Sequence, residues 1–77
     1  MPVNFKFGFV RNVLTVGVQH PSNVHIQVFD MSGQLLYDHS EYVTGSRAFS
    51  LNYLEQGNYI VRVSDKSAQK VARVVIR

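Results

Sequence analysis

The stretch NYIVRVS, at residues 58–64, carries the strongest strand signal in the chain. Every second position in it is apolar: Tyr59, Val61 and Val63. A period of two is that of a β-strand, in which successive side chains point to opposite faces of a sheet. We therefore expect a central strand here, with Val61 and Val63 facing the core.

Similar alternation recurs along the rest of the chain, at residues 3–9, 14–19, 24–28 and 72–77. The composition agrees, because the 77 residues include 13 valines, three isoleucines and nine phenylalanines or tyrosines. β-Branched and aromatic side chains fit a pleated sheet and lose rotamer freedom in a helix. No stretch matches the helical period better, so the sequence predicts an all-β protein.

Turn-forming residues divide the chain into about seven strands. These are expected near residues 3–9, 13–19, 23–30, 34–40, 46–51, 58–64 and 69–76. Gly33, Gly45 and Gly57 lie between predicted strands, and we interpret them as structural turn residues without a chemical role. The spacing is typical of a small immunoglobulin-like antiparallel β-sandwich, with one domain over residues 1–77. A small barrel is the alternative.

The composition excludes several classes of protein. With 45% hydrophobic and 17% charged residues, the chain is not a disordered tail. It has no cysteine, which excludes disulfides and thiolate metal sites. No apolar run approaches the roughly 18 residues of a membrane-spanning helix. Residues 1–6 lack the pattern of a signal peptide, so we expect either a cytoplasmic protein or a piece of a larger exported one.

Three features occur in a specific order along the chain. Residues 24–33, VHIQVFDMSG, predict a strand that ends in aspartate and is followed by a serine-glycine turn. Residues 51–63, LNYLEQGNYIVRV, place a leucine, a glycine and a tyrosine before a strand. Residues 70–77, KVARVVIR, form a β-branched terminal segment flanked by basic residues. Over residues 12–77, this order resembles the C-terminal sorting domain of proteins exported by the type IX secretion system of Bacteroidetes and their relatives.

The chain departs from that family at two places. Its members often begin with a Pro-Asn-Pro element, and residues 9–12, FVRN, stand in that place without proline. Their terminal basic residues are usually lysine, whereas this chain has Arg73 and Arg77. The positive charge is kept, but a guanidinium and an ammonium group bind differently. Met1 and Pro2 would then mark a boundary within a longer protein.

The resemblance implies a non-catalytic sorting and anchoring domain at the C-terminus of an exported protein. Its partners would be the outer-membrane export machinery and a sortase-like protease that removes the domain. The passenger would travel via the periplasm and outer membrane, to be secreted or held at the cell surface. The residues implied in partner recognition are those of the terminal strand: Lys70, Arg73, Val74, Val75, Ile76 and Arg77.

The distribution of charge favours the same end of the chain. Residues 62–77 hold five basic residues and one acid, whereas residues 1–61 hold three bases and four acids. A basic end attracts an acidic partner or an anionic surface, and a terminal strand can pair with a receptor by β-augmentation. The structural alternative is a strand that closes the sheet and carries edge charges that prevent aggregation.

The residues alone leave two other functions open. Tyr37, Tyr42 and Tyr53 would form an exposed aromatic platform in an accessory carbohydrate-binding module. The chain would otherwise be a spacer or assembly module that pairs through its edge strands. The sequence leaves the oligomeric state open.

No pattern of residues indicates an enzyme or a metal site. His20, His25 and His39 lack the spacing of metal ligands. No serine lies in a nucleophile-elbow pattern, and so small a chain has little room for a substrate pocket. The basic residues are not interleaved with exposed aromatic residues, as nucleic-acid binding requires. We therefore predict no catalysis, cofactor, metal or nucleic-acid partner, and we expect Tyr59 to be buried with its hydroxyl on a backbone group.

Overall fold

The computed structural model of this chain describes residues 3–77, so Met1 and Pro2 lie outside the described residues. The described chain forms seven strands: β1 (Phe5–Val10), β2 (Val13–Val18), β3 (Ser22–Asp30), β4 (Leu35–Val43), β5 (Ser46–Ser50), β6 (Gly57–Ser64) and β7 (Gln69–Ile76). No helix occurs among residues 3–77, and thus none that could cross a membrane. The predicted all-β class and its seven strands are confirmed.

The strands pair antiparallel in two separate sheets. One sheet has the order β1-β2-β5, and the other has the order β4-β3-β6-β7. Each sheet has two edge strands that pair on one side only, so neither sheet closes on itself. The predicted sandwich is therefore confirmed, and the small barrel considered as its alternative is wrong.

One hydrophobic core fills the space between the sheets. Its members are the inward-facing side chains of both sheets and of the loop after β5: Phe5, Leu14, Val16, Val24, Ile26, Val28, Val43, Phe49, Leu51, Tyr59, Val61, Val63, Val74 and Ile76. Val61 and Val63 are fully buried in the interior strand β6, as predicted. Val61 lies opposite Val28 of β3 and Ala72 of β7. The core therefore depends on correct register across three neighbouring strands.

Backbone conformations with positive φ occur at the turns. Arg11 and Asn12 form the two-residue turn between β1 and β2, with φ of 52° and 65°. Positive φ at both positions is the type I′ geometry, whose twist matches that of an antiparallel pair. Gly33, Gly45 and Gly57 have φ of 92°, 75° and 150°, and glycine adopts such values without strain from a Cβ atom.

Tyr59 anchors the loop that precedes β6. Its side chain is only 8% exposed, and its hydroxyl donates a hydrogen bond of 2.6 Å to the carbonyl oxygen of Glu55. The prediction of a buried tyrosine whose hydroxyl finds a backbone partner is thus confirmed. A buried hydroxyl without a partner would instead destabilise the fold.

Two turns of the four-stranded sheet are built on aspartate. In the β3–β4 turn, Asp30 Oδ1 accepts hydrogen bonds from Ser32 and from the Gln34 N–H, at 2.6 to 2.9 Å. The hydroxyl of Ser32 and the N–H of Gln34 lower the pKa of Asp30. In the β6–β7 turn, Asp65 Oδ1 accepts from the N–H and the hydroxyl of Ser67 in the same way. An aspartate followed two residues later by serine therefore closes both turns.

Asp65 also connects the two sheets. Its Oδ2 accepts hydrogen bonds from Asn4 Nδ2 and Ser22 Oγ, both at 3.2 Å. Asn4 directly precedes β1 in one sheet, whereas Asp65 directly follows β6 in the other. Partial burial raises the pKa of Asp65, but the hydrogen bonds from Ser67, Asn4 and Ser22 outweigh burial and lower the pKa overall. The fold therefore favours the ionised carboxylate.

Asp65→Asn is expected to lower the free energy of unfolding at pH 7 by about 1–2 kcal/mol, because an amide cannot accept all of these hydrogen bonds. Since the pKa of Asp65 is lowered in the fold, its contribution is present above the unfolded-state pKa of about 3.9. That contribution is lost as the pH falls through the folded-state pKa. Urea unfolding at stepwise lower pH should show the two proteins converging in acid. A difference that stays constant with pH would contradict this role.

Candidate functional site

The terminal strand β7 is an edge strand of the four-stranded sheet. It pairs with β6 along its whole length, and no other strand among residues 3–77 pairs with it. β1 is likewise an edge strand, of the three-stranded sheet. The predicted recognition segment therefore lies at an open edge of the sandwich, where backbone donors and acceptors are free to pair with another chain.

Two asparagines that flank β1 hold the two ends of β7. After β1, Asn12 Nδ2 donates to the carbonyl oxygen of Arg77 at 2.9 Å, and the Arg77 N–H donates to Asn12 Oδ1 at 3.1 Å. This side-chain amide thus pairs with the backbone as a neighbouring strand would. Before β1, the N–H of Asn4 donates to Ser67 Oγ at 3.0 Å, and its side chain reaches Asp65.

These contacts show that β1 and β7 run side by side in the same direction. Near the start of both strands, the Lys70 ammonium lies 5.7 Å from the centre of the Phe5 ring. Near their ends, Phe9 of β1 lines the same cleft as Val74 and Val75 of β7. β1 therefore determines where the recognition segment lies, although it belongs to the other sheet.

The alternation along β7 separates the predicted recognition residues into two groups. Val74 and Ile76 point into the core and are 6% and 3% exposed. Lys70 lies opposite the buried Val63, so its side chain starts on the inward side and extends over Phe5.

The other three residues of that set, Arg73, Val75 and Arg77, are exposed. Arg73 and Val75 lie opposite Ile60 and Asn58, on the face of the sheet that points away from the core. In the folded domain, a partner can reach this outward group, whereas Val74 and Ile76 are accessible only if β7 detaches. We call Arg73, Val75 and Arg77 the outward group.

The outward group borders a cleft of about 550 Å³ between β7 and the β1–β2 turn. The cleft is lined by Phe9, Arg11, Asn12, Arg73, Val74, Val75 and Arg77. Arg11 and Phe9 were not predicted as part of a site, because they are about 65 residues away from the terminal strand in sequence. Only the folded arrangement brings them beside it.

Asn12→Gly should loosen the end of β7 while leaving the β1–β2 turn intact. Glycine tolerates the positive φ of Asn12, but it lacks the amide that binds Arg77. We expect a loss of about 1 kcal/mol for this pair of hydrogen bonds and faster hydrogen exchange at residues 75–77. Amides of β3 serve as the internal control. Unchanged exchange at Arg77 would mean that Asn12 does not hold the strand end.

The three tyrosines proposed for sugar binding do not form one platform. Tyr37 and Tyr53 contact each other, with ring centres 6.0 Å apart and planes tilted by 52°. Tyr37 lies opposite the buried Val28 on the inward side of β4, whereas Tyr42 lies opposite the exposed Asn23 on the outward side. An aromatic sugar platform needs rings on one surface, so this geometry does not favour the carbohydrate-binding alternative.

Two of the three histidines, His25 and His39, are bound to acids in separate places. His25 Nε2 pairs with Asp38, and His39 Nε2 bonds Glu41 at 3.0 Å. The hydrogen bonds from His39 and then from Arg47 lower the pKa of Glu41. Among residues 3–77, no group of three or more potential ligands is arranged to hold a metal ion.

Ser22, His25 and Asp65 are among the residues that line a second cleft. Ser22 Oγ donates to Asp65, whereas His25 in the same cleft is bound to Asp38. Nucleophile, base and orienting acid are therefore not connected in series, as a hydrolytic triad would require.

Comparison with known proteins agrees with this geometry. A family model described as the secretion system C-terminal sorting domain matches residues 10–77. Among solved structures, a DUF3244 family protein from Bacteroides vulgatus with an immunoglobulin-like β-sandwich fold has a TM-score of 0.79 and 14% identity, covering 96% of this chain and 84% of that chain. This second likeness concerns the fold alone, and no curated protein matches. Because the family model spans most of the chain, including strands β2 to β7, the chain belongs to the C-terminal sorting domains of the type IX secretion system.

Proposed function

We propose that this domain is a non-catalytic signal that directs a passenger protein through the outer-membrane machinery of type IX secretion. Membership of the sorting-domain family is the observation that carries the proposal. The outward group of β7 is proposed as the part that the machinery contacts. Its exposure on an edge strand supports this role, because a partner can bind it without opening the core.

The open edge of β7 suits recognition by β-augmentation. In that mode an added strand gains affinity from main-chain hydrogen bonds and specificity from alternate side chains. Lys70 extends inward over Phe5 at this edge. Inward-pointing charges on edge strands hinder indiscriminate pairing, so Lys70 is proposed to limit pairing near the start of β7 and to leave residues 73–75 for a specific partner, since the Arg77 backbone is bound to Asn12.

The fate of the passenger follows from the same proposal. The passenger would cross the periplasm and the outer membrane and be secreted or retained at the cell surface. A sortase-like protease is the proposed second partner, which would remove the domain after export. Hydrogen bonds of Asn4 and Asn12 hold the two ends of β7, which supports an intact, folded domain as the form that these partners bind.

A fusion experiment tests the proposal. Residues 1–77 are fused to the C-terminus of a reporter with a signal peptide, in a bacterium with type IX secretion. We expect the reporter at the cell surface or in the medium, and we expect truncation after Ala72 to abolish this export. A full-length fusion that stays in the periplasm would show that the chain is not a sufficient sorting signal.

A further inference from the structure

Three arginines converge on the cleft between β7 and the β1–β2 turn. Arg11, Arg73 and Arg77 all line the cleft and are exposed. Within residues 3–77, no side-chain hydrogen bond or ion pair engages their guanidinium groups. Arg47 and Arg62 differ, because Arg47 pairs with Glu41 and Arg62 bonds Gln27.

No aspartate or glutamate side chain lines this cleft, so the side chains around it carry a net positive charge. Grouping like charges costs free energy through repulsion, and in a concave site it creates a positive potential that attracts anions. Guanidinium groups are planar forks that bind carboxylates by two parallel hydrogen bonds. The charge of the cleft therefore complements an acidic ligand.

The remaining surface of the cleft is apolar. Phe9 and Val75 are partly exposed there, and the side of Val74 closes it. The edge of β7 before Arg77, which no other strand of residues 3–77 pairs with, runs alongside. Side chains of an extended peptide point alternately to its two faces, so a peptide that alternates acidic and apolar residues would offer carboxylates to Arg73 and Arg77 on the outward face and apolar groups to Phe9 and Val74 on the inward side.

Resting on the sorting function proposed above, we propose that this cleft binds an extended acidic segment of the partner protein, which adds to the free edge of β7. Arg11 supplies a contact from the other sheet, so the site exists only when the sandwich is folded. In an unfolded terminal segment, Arg73 and Arg77 would no longer have Arg11 and Phe9 beside them. We therefore expect the partner to recognise the folded domain as well as its last residues.

Peptide binding tests this site directly. The probe is a fluorescein-labelled peptide of alternating glutamate and valine, as long as β7, measured by fluorescence anisotropy with the full 77-residue chain. We expect saturable binding that weakens with added salt, and loss of about tenfold in affinity for Arg11→Glu and for Arg73→Glu. Arg73 lies outside the β1–β2 turn, so the Arg73→Glu variant still tests the site if the change at Arg11 disturbs that turn.

Lys66→Glu is the matched control, because Lys66 is an exposed base in the β6–β7 turn and lies outside the cleft. It should change affinity by less than about twofold, since it alters net charge but not this site. Equal loss in Lys66→Glu and Arg73→Glu, no binding by the wild type, or stronger displacement by a heparin oligosaccharide than by unlabelled peptide would each overturn the proposal.

Export assays separate this site from the sorting function. If the full-length fusion is exported and Arg11→Glu and Arg73→Glu fusions are exported equally well, the cleft is not the contact and the sorting function stands. If the wild-type fusion is not exported, the sorting function fails whatever the peptide result. Reduced export of both variants, with normal export of Lys66→Glu, supports the cleft.

Discussion

Val61→Asp is expected to unfold the domain. The side chain of Val61 is fully buried between Val28 and Ala72 on the neighbouring strands. A carboxyl group has no hydrogen-bonding partner there, and such burial costs about 4 kcal/mol or more. A domain of this size has a total stability of roughly 4–12 kcal/mol. Thermal unfolding of the Val61→Asp protein, followed by circular dichroism, should therefore lose most of its cooperative transition.

Asn58→Asp is the matched control on the same strand. Asn58 is exposed on the outward face of β6, so its replacement adds the same charge without burying it. We expect the melting temperature to change little. A folded, cooperative Val61→Asp protein would mean that β6 is shifted by one residue, because such a shift moves each side chain to the opposite face.

The strands and their faces were predictable because the signals are local. In β6, alternation alone identifies Val61 and Val63 as inward-facing residues, and both are fully buried. The end of β4 was predicted less well, near residue 40, whereas the strand continues to Val43. Glu41 breaks the apolar alternation there, but Arg47 of β5 neutralises its charge at the sheet edge. Such a tertiary partner is not visible in the local pattern.

The recognition segment was only partly predictable. Its alternation showed two faces in the sequence, but all six residues were treated as one recognition set. The buried positions of Val74 and Ile76 depend on the opposing sheet. The roles of Asn4 and Asn12 arise from hydrogen bonds between residues 63 and 65 positions apart. The sequence pattern places Asn4 inside the predicted strand 3–9 and Asn12 in the turn that follows it, and neither position gives a sign of these partners.

Loss of export is the second large effect that we expect, and it should follow from changing the outward group alone. Truncation after Ala72 also removes Val74 and Ile76 from the core, so it damages the fold together with the contact surface. Truncating a buried valine or isoleucine typically costs about 1–4 kcal/mol each. Export lost on truncation would therefore not distinguish recognition from folding.

Substitution of the outward group separates the two effects. Arg73→Glu, Val75→Thr and Arg77→Glu together reverse two charges and shorten no buried side chain. Threonine keeps the strand preference of valine, so circular dichroism should show a folded domain. The control is Lys6→Glu with Lys66→Glu, which reverses two charges at exposed residues outside the cleft.

The most direct test is the amount of surface reporter carried by these two variants relative to the wild-type fusion in a type IX-competent bacterium. The proposed function predicts that the outward-group variant stays folded but loses most of its surface reporter, whereas the control keeps it. An outward-group variant that is folded and exported as well as the wild type would contradict recognition through the outward face of β7.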